Sequence, residues 1–164
     1  MFPGKVGDPA VVAVGLPGLL EQMAAAQINT PRRVAAFLAT LAHESELLYN
    51  IPQRGATAKY KGRGYIQLTG MTNYTDAGAY LGIDLAGTPG LALDLRYSAK
   101  IARWYWTVAR HCNEMADALK MGKVCAAIGY PLGDGSEDIA RCASFARALK
   151  YLTGSVPAGI STTR

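Results

Sequence analysis

Two stretches of this chain put polar side chains where they could act on a covalent bond. In Ala42-His43-Glu44-Ser45-Glu46, Glu44 follows Phe37 by seven residues and Leu41 by three, so it continues an apolar helical face and its carboxyl is expected on the buried side. Desolvation there, with the negative end of the helix dipole, disfavours the carboxylate and raises its pKa. A carboxylic acid that is still protonated near neutral pH can hand its proton to a leaving oxygen, which is the general-acid step of glycoside cleavage. The structural reading of the same residue is an ion pair with Arg63 or another basic group. Glu46 lies about 200° further round a continuing helix, so it shares a cleft with Glu44 only if the helix ends near Ser45. Otherwise it is a solvated surface charge.

The second stretch runs from Tyr60-Lys61-Gly62-Arg63-Gly64 through Tyr65-Ile66-Gln67-Leu68-Thr69-Gly70. Its alternation predicts a short strand or extended segment, with Tyr65, Gln67 and Thr69 on one face and Ile66 and Leu68 on the other. The Gln67 amide beside the Thr69 hydroxyl could orient a water or hold an N-acetyl sugar. Tyr60 and Tyr65 offer flat rings for sugar stacking, and Asn73 and Tyr74 extend that surface. Each also has a structural reading, Asn73 as a helix cap and Tyr65 as core.

Other chemistries find little support. Gly62-Arg63-Gly64 allows close backbone approach, but Gln67 occupies the place of the third glycine of a dinucleotide fingerprint. His43 and His111 are far apart with no Cys or acid at ligand spacing, so neither a metal nor any other cofactor is expected. His43 reads as a helix-packing or hydrogen-bonding residue. No Gly-x-Ser-x-Gly elbow and no cysteine with a motif-level histidine is present, which leaves acyl transfer without a nucleophile. Trp104, Tyr105 and Trp106 read as core.

The elements that must position these groups are helical. The pattern predicts a helix over 11–27, interrupted or begun late at Pro17, and a second opened by Thr30-Pro31 and running to about Glu46, with Val34, Phe37, Leu38 and Leu41 inward. Further helices are expected at 73–81, 96–111, 114–121, 124–128 and 137–152, the last capped by Ser136 and stopped by Gly154. The fold class is therefore mainly α with at most a small β element. Residues 1–9 and 154–164 are rich in Gly, Pro, Ser and Thr and read as linkers around one domain at 10–153, as if joined to other modules.

At 164 residues the chain can bury a core without disulfide or metal. Its three cysteines, Cys112, Cys125 and Cys142, have no close pair, so buried reduced thiols and synthesis in a reducing cytosol are expected. No stretch is long and apolar enough for stable membrane insertion, and residues 1–9 lack the order of a signal peptide. The net charge of +5 favours polyanions: nucleic acid, anionic lipid or an acidic wall polymer. No nucleic-acid recognition motif accompanies it, so nucleic acid is not the expected partner.

Leu41-Ala42-His43-Glu44-Ser45, then Gly62-Arg63-Gly64-Tyr65-Ile66-Gln67-Leu68-Thr69 and Asn73-Tyr74, closely resemble glycoside hydrolase family 19, which contains plant chitinases and the lysozyme-like endolysins of bacteriophages. The resemblance spans about Thr30 to Tyr151, more loosely through Gly82-Ile83-Asp84-Leu85, Pro89 and Ala102-Arg103-Trp104-Tyr105-Trp106. It implies a lysozyme-like, two-lobed helical domain around a sugar cleft, and hydrolysis by single displacement with inversion. It also implies Glu44 as general acid, Thr69 as a holder of the water, Gln67 and Asn73 as substrate contacts and Arg141 as a cleft arginine. Two departures stand out: Glu46 is the only acid between Ser45 and Tyr60, where the family carries its base on a longer loop, and Ile128-Gly129-Tyr130-Pro131 replaces an Asn-Gly-Gly segment, with Asp134 and Glu137 near enough to compensate. The expectation is a monomeric endolysin-type enzyme, made in the host cytoplasm, that cuts the β-1,4 glycan of peptidoglycan. Alternatives are a chitinase or a glycan-binding module without turnover.

Overall fold

A computed structural model describes residues 1–129 and 135–164. Helix α1 (Pro9–Ala25) starts earlier than periodicity suggests, because the Asp8 carboxylate accepts the Ala10 N–H at 2.8 Å and Pro9 occupies the first turn. It runs unbroken through Pro17. That residue is exposed, while Leu19, Gln22 and Met23 hold the inner face, and their packing offsets the missing hydrogen bond.

Helix α2 (Pro31–Ser45) begins where Thr30-Pro31 indicates, with the Thr30 hydroxyl accepting from the Arg33 N–H. Phe37 and Leu41 are fully buried, whereas Val34 and Leu38 only flank the core. Small residues widen the buried face instead: Ala35, Ala36, Ala39 and Ala42 let neighbours approach on several sides. This is the central helix, packed along α7 (Ser136–Thr153) more extensively than any other two elements meet, and touching α5 (Cys112–Asp117) and α6 (Met121–Ile128) as well. On the other side α1 and α3 (Met71–Leu81) pack on α4 (Ser98–Trp104).

The chain therefore forms two lobes, α1/α3/α4 and α5/α6/α7, with α2 reaching between them. Helix α4 continues into a π-helical turn at Tyr105–Ala109, a widened stretch that buries Tyr105 and Trp106. Trp106 meets Phe37 edge-on at 5.1 Å, which joins the lobes through aromatic contact. A 3₁₀ turn at Pro89–Leu93 precedes α4 and was not anticipated.

Two expectations change. Ser136 is the first residue of α7 rather than its cap, a place taken by Gly135 in the left-handed region. Tyr65 to Thr69 is no strand: one bridge, Pro52 with Arg63, is the whole β element among the described residues, and residues 64–67 form a turn that ends with Gln67 at φ 50°. Gly64 enables that turn, since it has φ 72° and a Cβ there would lie 2.5 Å from the Ala92 carbonyl and 2.6 Å from Ser98 Oγ.

The two terminal segments also pack, despite a linker-like composition. Phe2 is buried and the Gly7 N–H donates to the Glu46 carbonyl at 2.8 Å. At the other end the Ser161 N–H donates to the Leu119 carbonyl, the Gly122 N–H to the Ser161 carbonyl, and Arg164 pairs with Asp138 at 2.5 Å. Gly122 is open enough to receive this segment, because a Cβ would collide with Thr162. The three cysteines are free and buried, and burial pushes the Cys112 and Cys125 thiols up to about 12 and Cys142 to about 11. No described helix is long and apolar enough to cross a membrane.

Because Phe37 is 1% exposed and supports both lobes, Phe37→Ala should cost about 3–5 kcal/mol. Denaturant unfolding of the variant checks this, and a loss under about 1 kcal/mol would refute its central place.

Candidate active site

Glu44 is the last residue but one of α2, with its side chain 15% exposed. Arg141, from α7, reaches it from beneath, with Nη1 2.9 Å from Glu44 Oε1 and almost no exposure of its own. Arg63 is not the partner: its guanidinium donates to Tyr74 Oη and to the Lys59 and Lys61 carbonyls. Burial pushes Glu44 above its ordinary 4.5, and the positive charge and hydrogen bond of Arg141 pull it down without cancelling the shift. The nearby Glu137 carboxylate adds to the rise.

A relay of polar groups fixes that arginine. Arg147 donates to Ser144 Oγ at 2.8 Å, and Ser144 Oγ lies 2.9 Å from His43 Nε2. His43 Nδ1 lies 2.7 Å from Glu137 Oε1, which also accepts from Arg141 Nε at 3.3 Å. A carboxylate can only accept, so a ring proton belongs on Nδ1, and in the neutral ring Nε2 takes the Ser144 proton. Burial, the largest influence, accordingly holds His43 below its ordinary 6.5. Burial also opposes the Glu137 carboxylate, but the hydrogen bond from His43 and the charge of Arg141 outweigh it, and Glu137 falls below its ordinary 4.5.

The segment after Glu44 carries strain. Glu46 and Leu47 both have positive φ, 55° and 62°, at non-glycine positions, a cost of about 1–3 kcal/mol each that the surroundings must impose. The bond from Gly7 to the Glu46 carbonyl does part of this. Helix α2 thus ends at Ser45, whose hydroxyl donates to the Tyr65 carbonyl at 2.8 Å, and Glu46 turns back to the same cavity as Glu44. Among the described residues its one ion pair is with Arg54 at 3.7 Å.

Two cavities open beside Glu44. One, of about 290 Å³, is lined by Lys5, Glu44, Glu46, Gln53, Arg54 and Gln67 among others. The other, of about 330 Å³, lies between the lobes, with Gln53, Gly62, Gln67 and Thr69 facing Ile128 at the end of α6 and Gly129 after it. Glu44, Gln53 and Gln67 line both, so the two form a groove with the acid at the junction. Gly62 keeps this floor low, since a Cβ would lie 2.7 Å from Gln67 Oε1 and 3.3 Å from Thr69 Oγ1.

The candidates from sequence divide accordingly. Gln67 and Thr69 do face the groove, although a turn rather than strand alternation puts them there. Gln67 is held by donating its amide to the Ile51 and Gly64 carbonyls, both at 3.0 Å, and Thr69 Oγ1 donates to the Gln67 carbonyl. Glu46 and Thr69 line opposite cavities. Tyr65 is 2% exposed and its phenol is pushed up to about 12 by burial, so it is core and cannot stack on a sugar. Tyr60 lines neither cavity: it packs on Tyr74 at 5.4 Å and donates to the Ala86 carbonyl. Asn73 also lies outside both, bracing the Thr69 carbonyl and accepting from Arg110. Arg141 is buried behind Glu44 and touches the acid rather than the groove. Asp134 lies outside the described residues. Lys5, Gln53 and Arg54 were not anticipated, since nothing local distinguishes them. No group of three or more described His, Cys, Asp or Glu could hold a metal.

The chain is similar to known proteins in sequence and in fold. Residues 50–128 fit the glycoside hydrolase 19 family model, described as chitinase class I. Chitinase 8 of Oryza sativa subsp. japonica is 47% identical over 58 residues, 35% of this chain and 22% of that protein. A glycosyl hydrolase family 19 domain-containing protein of Haemophilus influenzae is 41% identical over 66 residues, 40% of this chain and 30% of that one. This chain thus spans less than a third of either relative. Among solved structures, chitinase C from Streptomyces griseus HUT6037 superposes with a TM-score of 0.73 at 25% identity, covering 92% of this chain and 87% of that one.

If Glu44 is a general acid it must carry its proton, so activity should fall as pH rises through the Glu44 pKa, at a pH above 4.5. Glu137→Gln removes a charge that raises Glu44, and should move this alkaline limb to lower pH. A pH–rate profile checks it, and an unmoved or upward-shifted limb would contradict the assignment.

Proposed function

We infer that this chain is a member of glycoside hydrolase family 19, and on that premise that it cleaves the β-1,4 glycan of bacterial peptidoglycan by single displacement with inversion. The observation that carries the reading is a carboxyl group pushed above its ordinary 4.5 by burial at the junction of two open cavities. Glu44 gives its proton to the glycosidic oxygen. A water attacks the anomeric carbon from the opposite face, and Glu46, the other carboxylate lining a cavity with Glu44, accepts the proton it loses. Gln67 and Thr69 contact the sugar in the second cavity. Arg141 and Glu137 set the protonation of Glu44 without touching substrate.

The net charge of +5 supports a bacterial wall, which is anionic, and three buried free thiols fit synthesis in a reducing cytosol. The related plant proteins are named as chitinases, which favours chitin as the second reading. Purified peptidoglycan and chitin distinguish them. The wild type should release reducing ends from peptidoglycan, with the α anomer appearing first by NMR. Glu44→Gln should lower the rate by about 10²–10⁴. Equal release by the two proteins, or none from peptidoglycan by the wild type, overturns the proposal.

Glu46→Gln should lower kcat by a similar order if that carboxylate takes the proton. A near-normal kcat would remove Glu46 from the reaction and leave the water to the second cavity.

A further inference from the structure

The groove is electrically lopsided about Glu44. The cavity on the Glu46 side carries two cations, Lys5 and Arg54, against one carboxylate besides Glu44. The cavity on the Thr69 side carries no cation among its described lining residues and no acid but Glu44. Lys5 is held at its place from both sides: its N–H donates to the carbonyl of buried Phe2 at 3.1 Å, and two residues on, Gly7 lies against Leu48 and bonds the Glu46 carbonyl. Among the described residues its ammonium takes part in no ion pair or hydrogen bond. Among the described residues Arg54 has only the 3.7 Å contact to Glu46, with 79% of its own side chain exposed, an interaction that an incoming anion displaces at little cost.

We infer that the Lys5–Arg54 side of the groove is a subsite for a carboxylate-bearing sugar, and that the Thr69 side takes a neutral N-acetylhexosamine. This deepens the proposed function and rests on its glycan reading. A uniformly neutral polymer gains nothing from the asymmetry, whereas one with a carboxylate on every second sugar is fixed in register by it. One of the two alternating linkages is then presented to Glu44. The carboxylate can be that of the lactyl ether or of the attached peptide, and the two are separable by substrate.

The test is a binding measurement in the Glu44→Gln background, which does not depend on turnover. Its probes are peptide-free peptidoglycan oligosaccharides with free lactyl carboxylates, the same oligosaccharides methyl-esterified, peptide-bearing strands, and chitohexaose. The acid form should bind about tenfold more tightly than the ester, as expected for one hydrogen bond to a charged group. Lys5→Gln should erase that difference, Lys5→Arg should keep it, and chitohexaose should be unaffected. Tighter binding of peptide-bearing strands than of peptide-free ones would place the carboxylate on the peptide. An acid-to-ester ratio near one, or a ratio untouched by Lys5→Gln and Arg54→Gln together, overturns the inference. Either result leaves reducing-end release by the wild type, and so the proposed function, standing. Failure of release with the ratio intact does the reverse.

Discussion

A carboxyl group taken out of water beside a guanidinium is the constraint on which this molecule turns. Burial of Glu44 favours the neutral acid, and Arg141 at 2.9 Å favours the anion. Burial prevails because the guanidinium is shared: Glu137 accepts from the same arginine, and its own charge works against a second carboxylate nearby. The relay through His43, Ser144 and Arg147 joins Glu137 behind the acid, and Arg141 and Glu137 act with burial to set the proton affinity of Glu44.

The fold serves that arrangement. Helix α2 brings Glu44 from the centre of the molecule to the groove, and α7 lies alongside it with Glu137, Arg141, Ser144 and Arg147, all at helical spacing on the side facing α2. The interruption of α2 at Ser45 is equally necessary. Two residues in the left-handed region turn Glu46 into the cavity, where continuation of the helix would have carried it away. The first residues of the chain hold this turn through Gly7 and supply Lys5 to the groove, so a segment that looks like linker takes part in the site.

Much of this was legible in the sequence where short-range physics decides. The Thr30-Pro31 start of α2, the placement of Glu44 on its inner face and the stop at Gly154 follow from capping and periodicity. The turn at 64–67 was hidden because Tyr65-Ile66-Gln67-Leu68-Thr69 alternates like a strand, while Gly64 and the packing of Ala92 and Ser98 against it decide the matter through tertiary contact. Tyr65 was mistaken for a sugar platform for the same reason. Arg141 carried the right association with the cleft and the wrong contact, since only the packing of α7 on α2 reveals that it lies behind the acid. Gln53, Arg54 and Lys5 stand in stretches with no periodicity, and their approach to Glu44 depends on chain paths that local preferences do not encode.

The most direct measurement is the titration of the Glu44 side chain itself, by carbon-detected NMR of protein labelled at the glutamate carboxyl and assigned with Glu44→Gln. The account predicts a midpoint above the ordinary 4.5 for position 44, and one below it for Glu137. A Glu44 midpoint at or below 4.5 would mean that Arg141 outweighs burial, leaving an anion where the reaction needs an acid.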